Sequence, residues 1–121
     1  MTLGTHFILD LEGAPFAALD DERLVHEALV VAVGEMGARV LGVYLHRLEP
    51  QGVSGVVVIS ESHLTIHTWP ERGEAAIDLF SCGDPARARD AARRLPEKLS
   101  ASRFTLREIP RGVPEATEPS L

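Results

Sequence analysis

The most chemically capable part of the sequence is the polar segment at residues 60–63, which contains serine, glutamate and histidine side chains. It follows residues 55–59, which carry four β-branched side chains and no charge, a composition typical of a strand buried on both faces. Beyond it, Leu64 and Ile66 alternate with polar residues, as in a half-buried strand. The polar segment is therefore predicted to form a tight connection between two strands.

This connection lacks the Asn-Gly or Gly-Gly pair that usually makes a two-residue hairpin turn comfortable. A turn built from Glu61, Ser62 and His63 instead predicts local backbone strain. Because strained backbone concentrates at functional sites, we expect the active site here.

Other candidate residues have ordinary interpretations when each is taken alone. A cysteine at a strand end, such as Cys82, is usually a small buried hydrophobe, and a histidine on a sheet, such as His67, is usually structural. Ser54 and Ser62 would be turn residues by the same reasoning. Trp69 is expected to pack in the core.

Three further histidines, His6, His26 and His46, form no metal-ligand spacing with Cys82, and we expect them to be structural. Cys82 is the only cysteine, so an intrachain disulfide is impossible. This fits a reducing compartment and leaves the thiol free for chemistry.

Four motifs together resemble the S-adenosylmethionine decarboxylase proenzymes of the short prokaryotic type. They are GVSG at 52–55, SESH at 60–63, TIHTWPE at 65–71 and DLFSCG at 78–83. Their order and spacing follow the family pattern, so the joint match outweighs the ordinary interpretation of each residue. Outside residues 52–83 the resemblance rests on Gly4-Thr5-His6 and on the chain length.

Decarboxylation of an α-amino acid requires an electron sink, which a cofactor or a modified residue must supply. The sequence has no glycine-rich phosphate loop, and its only lysine, Lys98, does not stand out as a pyridoxal phosphate site. The resemblance implies a pyruvoyl group made from Ser62 by self-cleavage between Glu61 and Ser62, with no metal and no pyridoxal phosphate. The substrate amine would then form a Schiff base with that group.

The resemblance also implies roles for the residues around Ser62. His67 would be the proton acceptor in processing and Ser54 would assist it, while Cys82 would be the proton donor in decarboxylation. Glu71 would bind the substrate ribose. The implied activity is conversion of S-adenosylmethionine to its decarboxylated form, the aminopropyl donor for polyamine and spermidine synthesis.

One departure from the family pattern concerns Leu48, which stands where an aromatic ring helps to stack the substrate adenine. Leucine keeps the apolar contact but loses a stacking contribution of about 1 kcal/mol. An alternative is therefore the same pyruvoyl chemistry on arginine or ornithine, although those substrates have no ribose for Glu71. Another is a non-catalytic partner subunit of a paralogous decarboxylase, which the intact Ser62, His67 and Cys82 disfavour.

Periodicity and turn signals predict a single α+β domain over residues 1–109, a two-layer sandwich of an antiparallel sheet with two helices on one face. Strands are predicted at 6–11, 40–46, 75–82 and 103–109, besides the central hairpin, with the last strand at an edge. Helices are predicted at about 21–36, ended by left-handed Gly37, and from Asp84, with Pro96 kinking or shortening the second. Residues 110–121 are expected to be a disordered tail.

Composition bears on location and partners. The net charge of −6 and the pI near 5.3 argue against a nucleic acid or an anionic membrane surface as partner. No apolar run is long enough to cross a bilayer and no targeting segment is evident, so a cytoplasmic protein is expected. Because several strands are apolar on both faces and a 13.1 kDa domain offers little depth, we predict a homodimer with active sites at or beside the subunit interface.

Overall fold

The computed structural model of the chain describes residues 3–113, which form one six-stranded sheet and three α-helices. The strands are β1 (Gly4–Glu12), β2 (Val40–Arg47), β3 (Val53–Ile59), β4 (Ser62–Trp69), β5 (Glu74–Ser81) and β6 (Arg103–Arg111). The helices are α1 (Phe16–Leu19), α2 (Glu22–Glu35) and α3 (Pro85–Lys98), and Pro70–Arg72 forms a 3-10 turn between β4 and β5.

The strands lie in the order β2-β3-β4-β5-β1-β6, and every neighbouring pair is antiparallel. Alternate residues of the strands are buried against α2 and α3, which cover one face of the sheet. The core between the two layers includes Phe7, Leu29, Leu64, Leu79 and Leu95. This arrangement confirms the predicted α+β sandwich and the edge position of the last strand.

Local sequence signals explain where both long helices begin and where α2 ends. The carboxylate of Asp21 accepts the backbone N–H groups of Arg23 and Leu24 at 3.1 Å each, and Asp84 accepts that of Ala86 at 2.9 Å. After α2, Gly37 has a φ of 76°, the left-handed conformation that glycine adopts without a Cβ penalty. These caps confirm the predicted helix boundaries to within a residue or two.

Pro96 does not shorten α3 as expected, because the helix continues to Lys98. Proline lacks the N–H that would bond to the preceding turn. It lies in the last turn, however, and the next helical bond, from the Leu99 N–H to the Leu95 carbonyl, is made at 3.2 Å. The ring is itself buried against the core.

The sheet face opposite the helices, which we call the open face, is not covered by any helix within residues 3–113. Val57 and Ile59 are buried under the helices, whereas Val58 is 38% exposed, so the prediction that this strand is buried on both faces is wrong for one chain. Trp69 also lies on the open face, 37% exposed, and is not a core residue.

Strand β6 continues through Arg111, two residues beyond the predicted end of the domain at residue 109. The rest of the predicted tail, from residue 114, lies outside the described residues. None of the helices within residues 3–113 is long and apolar enough to cross a membrane. A cytoplasmic location stays a prediction.

Candidate active site

The cleavage turn is a two-residue connection, Ser60-Glu61, between β3 and β4, and the last strand pair before it is Ile59 with Ser62. Glu61 has a φ of 66°, a left-handed conformation that costs a non-glycine residue about 1–2 kcal/mol. Two hydrogen bonds hold the turn against Arg39: the Ser60 N–H donates to the Arg39 carbonyl at 2.9 Å, and the Arg39 N–H donates to Ser60 Oγ at 3.3 Å. The predicted backbone strain is therefore present at Glu61. The predicted turn of Glu61, Ser62 and His63 is wrong in its bounds, because Ser62 and His63 already pair with β3 as the first residues of β4.

Ser62 and Cys82 are brought together by the pairing of β4 with β5. Ser62 begins β4 and Cys82 directly follows β5, so both lie at the same end of the sheet. The backbone N–H of Cys82 donates to Ser62 Oγ at 3.3 Å. The thiol of Cys82 is exposed, which corrects the interpretation of this residue as a buried hydrophobe. We call the turn and these two residues the cleavage end.

Two cavities border the cleavage end. A small one of about 180 Å³ lies on the helix side, and its lining includes Ser60, Glu61, Ser62 and Ser81. A larger one of about 640 Å³ lies on the open face and is lined by Leu3, His63, Phe80, Arg111, Gly112 and Val113. Within it, the rings of His63 and Phe80 stack with centroids 5.8 Å apart.

Of the residues of the larger cavity, sequence reasoning identified only His63, as part of the predicted turn at the active site. His63 and Phe80 belong to the SESH and DLFSCG motifs, which was the available signal. Leu3 and Val113 lie near the two ends of the described chain, and only the pairing of β1 with β6 brings them to the same place.

Ser54 and His67 form a second pair, since their Cα atoms are partners in the β3–β4 ladder. Both alternate with residues buried under the helices, so both lie on the open face, and the ring of His67 is 4.4 Å from that of Trp69. His67 follows Ser62 by five residues of extended strand, which is about 16 Å. A single chain therefore does not bring Ser54 and His67 to the cleavage turn.

Glu71 and Leu48 lie at the opposite end of the sheet from Ser62. Glu71 is exposed in the 3-10 turn after β4, and its Oε1 accepts a hydrogen bond from Gln51 Nε2 at 3.2 Å. Leu48 is half-buried in the β2–β3 loop, where its N–H donates to the Gly52 carbonyl at 2.7 Å. We call this region the Glu71 end.

Near the Glu71 end, the carboxylate of Asp20 forms an ion pair with Arg47. Asp20 accepts hydrogen bonds from Arg47 Nη2 at 2.8 Å and from the Gly52 N–H at 2.9 Å. The bond from Arg47, followed by that from Gly52, lowers the pKa of Asp20 below its ordinary value. The same ion pair raises the pKa of Arg47.

Of the remaining histidines, His6 is the β1–β5 ladder partner of Phe80, His46 is the β2–β3 ladder partner of Ser54, and His26 lies on α2. On the open face, His6 Nε2 is 3.0 Å from Asp78 Oδ1, and Thr65 Oγ1 donates to Asp78 Oδ2 at 3.4 Å. His26 and His46 are exposed. Among residues 3–113, no three His, Cys, Asp or Glu side chains form a group that could hold a metal ion.

Comparison with known proteins gives concordant matches along most of the chain. The family model for S-adenosylmethionine decarboxylase matches residues 5–112. The S-adenosylmethionine decarboxylase proenzyme of Pelotomaculum thermopropionicum is 50% identical over 111 residues, 92% of this chain and 88% of that protein. The proenzyme of Moorella thermoacetica is 50% identical over 113 residues, 93% of this chain and 90% of that protein.

A solved structure gives the same result at the level of the fold. The crystal structure of the adenosylmethionine decarboxylase from Aquifex aeolicus VF5 superimposes with a TM-score of 0.86 at 32% sequence identity. The match covers 98% of each chain.

Proposed function

The chain belongs to the S-adenosylmethionine decarboxylase family as a proenzyme of the short prokaryotic type, and from this premise we propose how its own residues carry out self-cleavage and decarboxylation. The 50% identity to S-adenosylmethionine decarboxylase proenzymes favours S-adenosylmethionine over arginine or ornithine as the substrate, and the intact Ser62, His67 and Cys82 disfavour a non-catalytic subunit. The product is the aminopropyl donor for polyamine synthesis. The observation that carries the proposal is the strained Glu61-Ser62 junction with an amide donor on the serine oxygen.

Self-cleavage begins when Ser62 Oγ attacks the carbonyl carbon of Glu61. The C–N bond of that peptide breaks as an ester bond forms, which moves the acyl group from nitrogen to oxygen. The left-handed conformation of Glu61 supports this step, because backbone strain stored in the turn is released when the peptide bond breaks.

The ester then breaks by elimination. A base removes the α-proton of Ser62, the Cβ–Oγ bond breaks, and Oγ leaves as part of the Glu61 carboxylate. The Cys82 N–H already donates to this oxygen at 3.3 Å and is therefore positioned to stabilise the negative charge that develops on it. Water then replaces nitrogen on the former Ser62 Cα, releasing ammonia and leaving a keto group at the new N-terminus.

The base in this elimination is His67, assisted by Ser54, and both come from a second copy of the chain. Their separation of about 16 Å from Ser62 along β4 supports this assignment, since a strand cannot fold back on itself. The uncovered open face is the contact surface. A two-fold axis between two open faces, perpendicular to the strands, would bring the cleavage end of one chain over the Glu71 end of the other.

The pyruvoyl group made from Ser62 supplies the electron sink for decarboxylation. The exposed Cys82 thiol donates a proton to the substrate α-carbon after carbon dioxide has left. At the Glu71 end, the Glu71 carboxylate accepts a ribose hydroxyl and Leu48 contacts the adenine. Pyridoxal phosphate and metal have no role in this scheme. Lys98 is the only lysine that could hold pyridoxal phosphate, and both oxygens of Glu35 bind its ammonium group at 3.1 Å.

Two inactive variants expressed together test this arrangement. Ser62→Ala keeps His67 and His67→Ala keeps Ser62, so their heterodimer has one complete site if the site is shared between chains. The His67→Ala chain should then be cleaved. Random pairing makes about half of the dimers heterodimers with one complete site of two, so the mixture should have at most about a quarter of the wild-type activity. Intact-mass spectrometry and turnover of S-adenosylmethionine measure both, and light scattering measures the dimer.

The matched control combines Ser62→Ala with Cys82→Ala, which both lie at the cleavage end. No shared site of that heterodimer contains both groups, so turnover should not exceed that of Cys82→Ala alone. If the His67→Ala chain remains uncleaved in a heterodimer with Ser62→Ala, the proposal of a shared site is wrong.

A further inference from the structure

Asp20 lies between α1 and α2, outside the motifs that carry the family resemblance, yet it binds both ends of the β2–β3 loop. Its side chain is 19% exposed, and each carboxylate oxygen has one partner. Oδ2 accepts from Arg47 Nη2 at 2.8 Å, just before the loop, and Oδ1 accepts from the Gly52 N–H at 2.9 Å, at its end. The loop between these two contacts contains Leu48.

A second, buried contact connects the end of the β2–β3 loop, where β3 begins, to β4. Thr68 is 2% exposed, and its Oγ1 accepts the Val53 N–H and donates to the Leu19 carbonyl, both at 2.8 Å. Gly52, which binds Asp20 and directly precedes Val53, has a φ of 111°. A Cβ at this position would lie 3.1 Å from the Thr68 carbonyl oxygen. The chain therefore passes Asp20 in a conformation that suits glycine and leaves little space.

The loop held in this way touches both residues assigned to the substrate nucleoside. The Leu48 N–H donates to the Gly52 carbonyl at 2.7 Å, which ties Leu48 to the residue that Asp20 binds. The neighbouring Gln51 donates to Oε1 of Glu71 at 3.2 Å, and no side chain within residues 3–113 donates to its Oε2, which can accept from a ligand. A shift of the loop would displace the adenine contact and the ribose contact together.

We propose that Asp20 is a positioning residue for the nucleoside part of the substrate, acting through the β2–β3 loop on Leu48 and Glu71. The inference rests on the proposed function, since it takes the substrate roles of those two residues from it. Asp20 contacts neither Ser62 nor Cys82 and lies at the other end of the sheet from them. Its loss should therefore weaken substrate binding without slowing the chemical step.

The test measures kcat and KM per pyruvoyl group in Asp20→Ala and Asp20→Asn. Asp20→Ala should raise KM about tenfold, the equivalent of about 1.4 kcal/mol, while kcat stays within about twofold. Asp20→Asn should give an intermediate KM, because its amide oxygen can still accept the Gly52 N–H but carries no charge for Arg47. If Asp20→Ala does not fold, the rise in KM of Asp20→Asn alone decides the outcome.

Glu35→Ala is the matched control, because Glu35 is also a partly exposed carboxylate in an ion pair, with Lys98 at 3.1 Å, and lies away from the loop. It should lose stability and keep the wild-type KM. The inference is overturned if the Asp20 variants also keep the wild-type KM, or if they lower kcat alone. Glu71→Ala, which removes both acceptor oxygens, separates this failure from that of the proposed function: if it too leaves KM unchanged, the ribose assignment itself is wrong.

Discussion

Replacing Cys82 by alanine should separate self-cleavage from turnover. The contact of Cys82 with Ser62 Oγ is made by the backbone N–H at 3.3 Å, which alanine retains. Only the thiol is lost, and its side chain is exposed, so the substitution leaves no buried cavity. We therefore expect Cys82→Ala to fold and to cleave at about the wild-type rate.

Turnover should fall much further, because the substrate α-carbon must collect a proton after carbon dioxide leaves. A positioned general acid contributes about 10²–10⁴-fold, or roughly 3–5 kcal/mol in the activation free energy. The assay compares release of carbon dioxide from S-adenosylmethionine per pyruvoyl group, which intact-mass spectrometry counts. Without the thiol, some chains should also acquire an N-terminal alanine in place of pyruvoyl, through protonation at the wrong carbon.

Two results would refute this reasoning. If fully processed Cys82→Ala turns over at the wild-type rate, the proton comes from another group, such as His67 or water. If the variant folds and does not cleave, the thiol takes part in processing and the backbone contact does not suffice. Cys82→Ser is the matched control, because the serine hydroxyl is similar in size to the thiol and carries a proton but is a much weaker acid.

Two further predictions concern cleavage and pH. Cleavage of the 121-residue wild-type chain after Glu61 should give fragments of 61 and 60 residues, whereas Ser62→Ala should stay one chain. Intact-mass spectrometry measures both. Wild-type protein that stays intact yet decarboxylates would contradict the mechanism. The hydrogen bond from Arg89 lowers the pKa of Glu108. Their ion pair should therefore stabilise the fold fully at pH values above about 4, the ordinary carboxyl pKa. This stabilisation should be lost as the pH falls through the lowered pKa. Glu108→Gln should therefore have a lower urea midpoint than wild type at pH 7, by a difference that shrinks as the pH is lowered from about 4, and equal midpoints at pH 7 would refute this.

Much of the local structure could be predicted from the sequence, because it depends on neighbouring residues. Alternating apolar side chains indicated the strands, and Asp21 and Asp84 marked the helix starts because their carboxylates bond to N–H groups two or three residues away. The missing glycine in the 60–63 connection indicated strain, which Glu61 has. The short helix α1 was not predicted, since four residues are too few for a periodic pattern.

The family could likewise be predicted from the sequence. The four motifs between residues 52 and 83 keep the order and spacing of the family, and the family model matches residues 5–112, which include them. The prediction for Trp69 failed because burial depends on which face of the sheet the helices cover, and one strand does not determine that.

Only the tertiary structure divided the predicted site between two ends of the sheet. Pairing of β4 with β5 brings Cys82 to Ser62 across twenty residues of sequence, while five residues of extended strand keep His67 away from it. The contact of Asp20 with Gly52 likewise joins residues 32 positions apart. Such contacts depend on strand order and on the packing of loops against helices, which are set by the whole chain and leave no mark in the residues on either side.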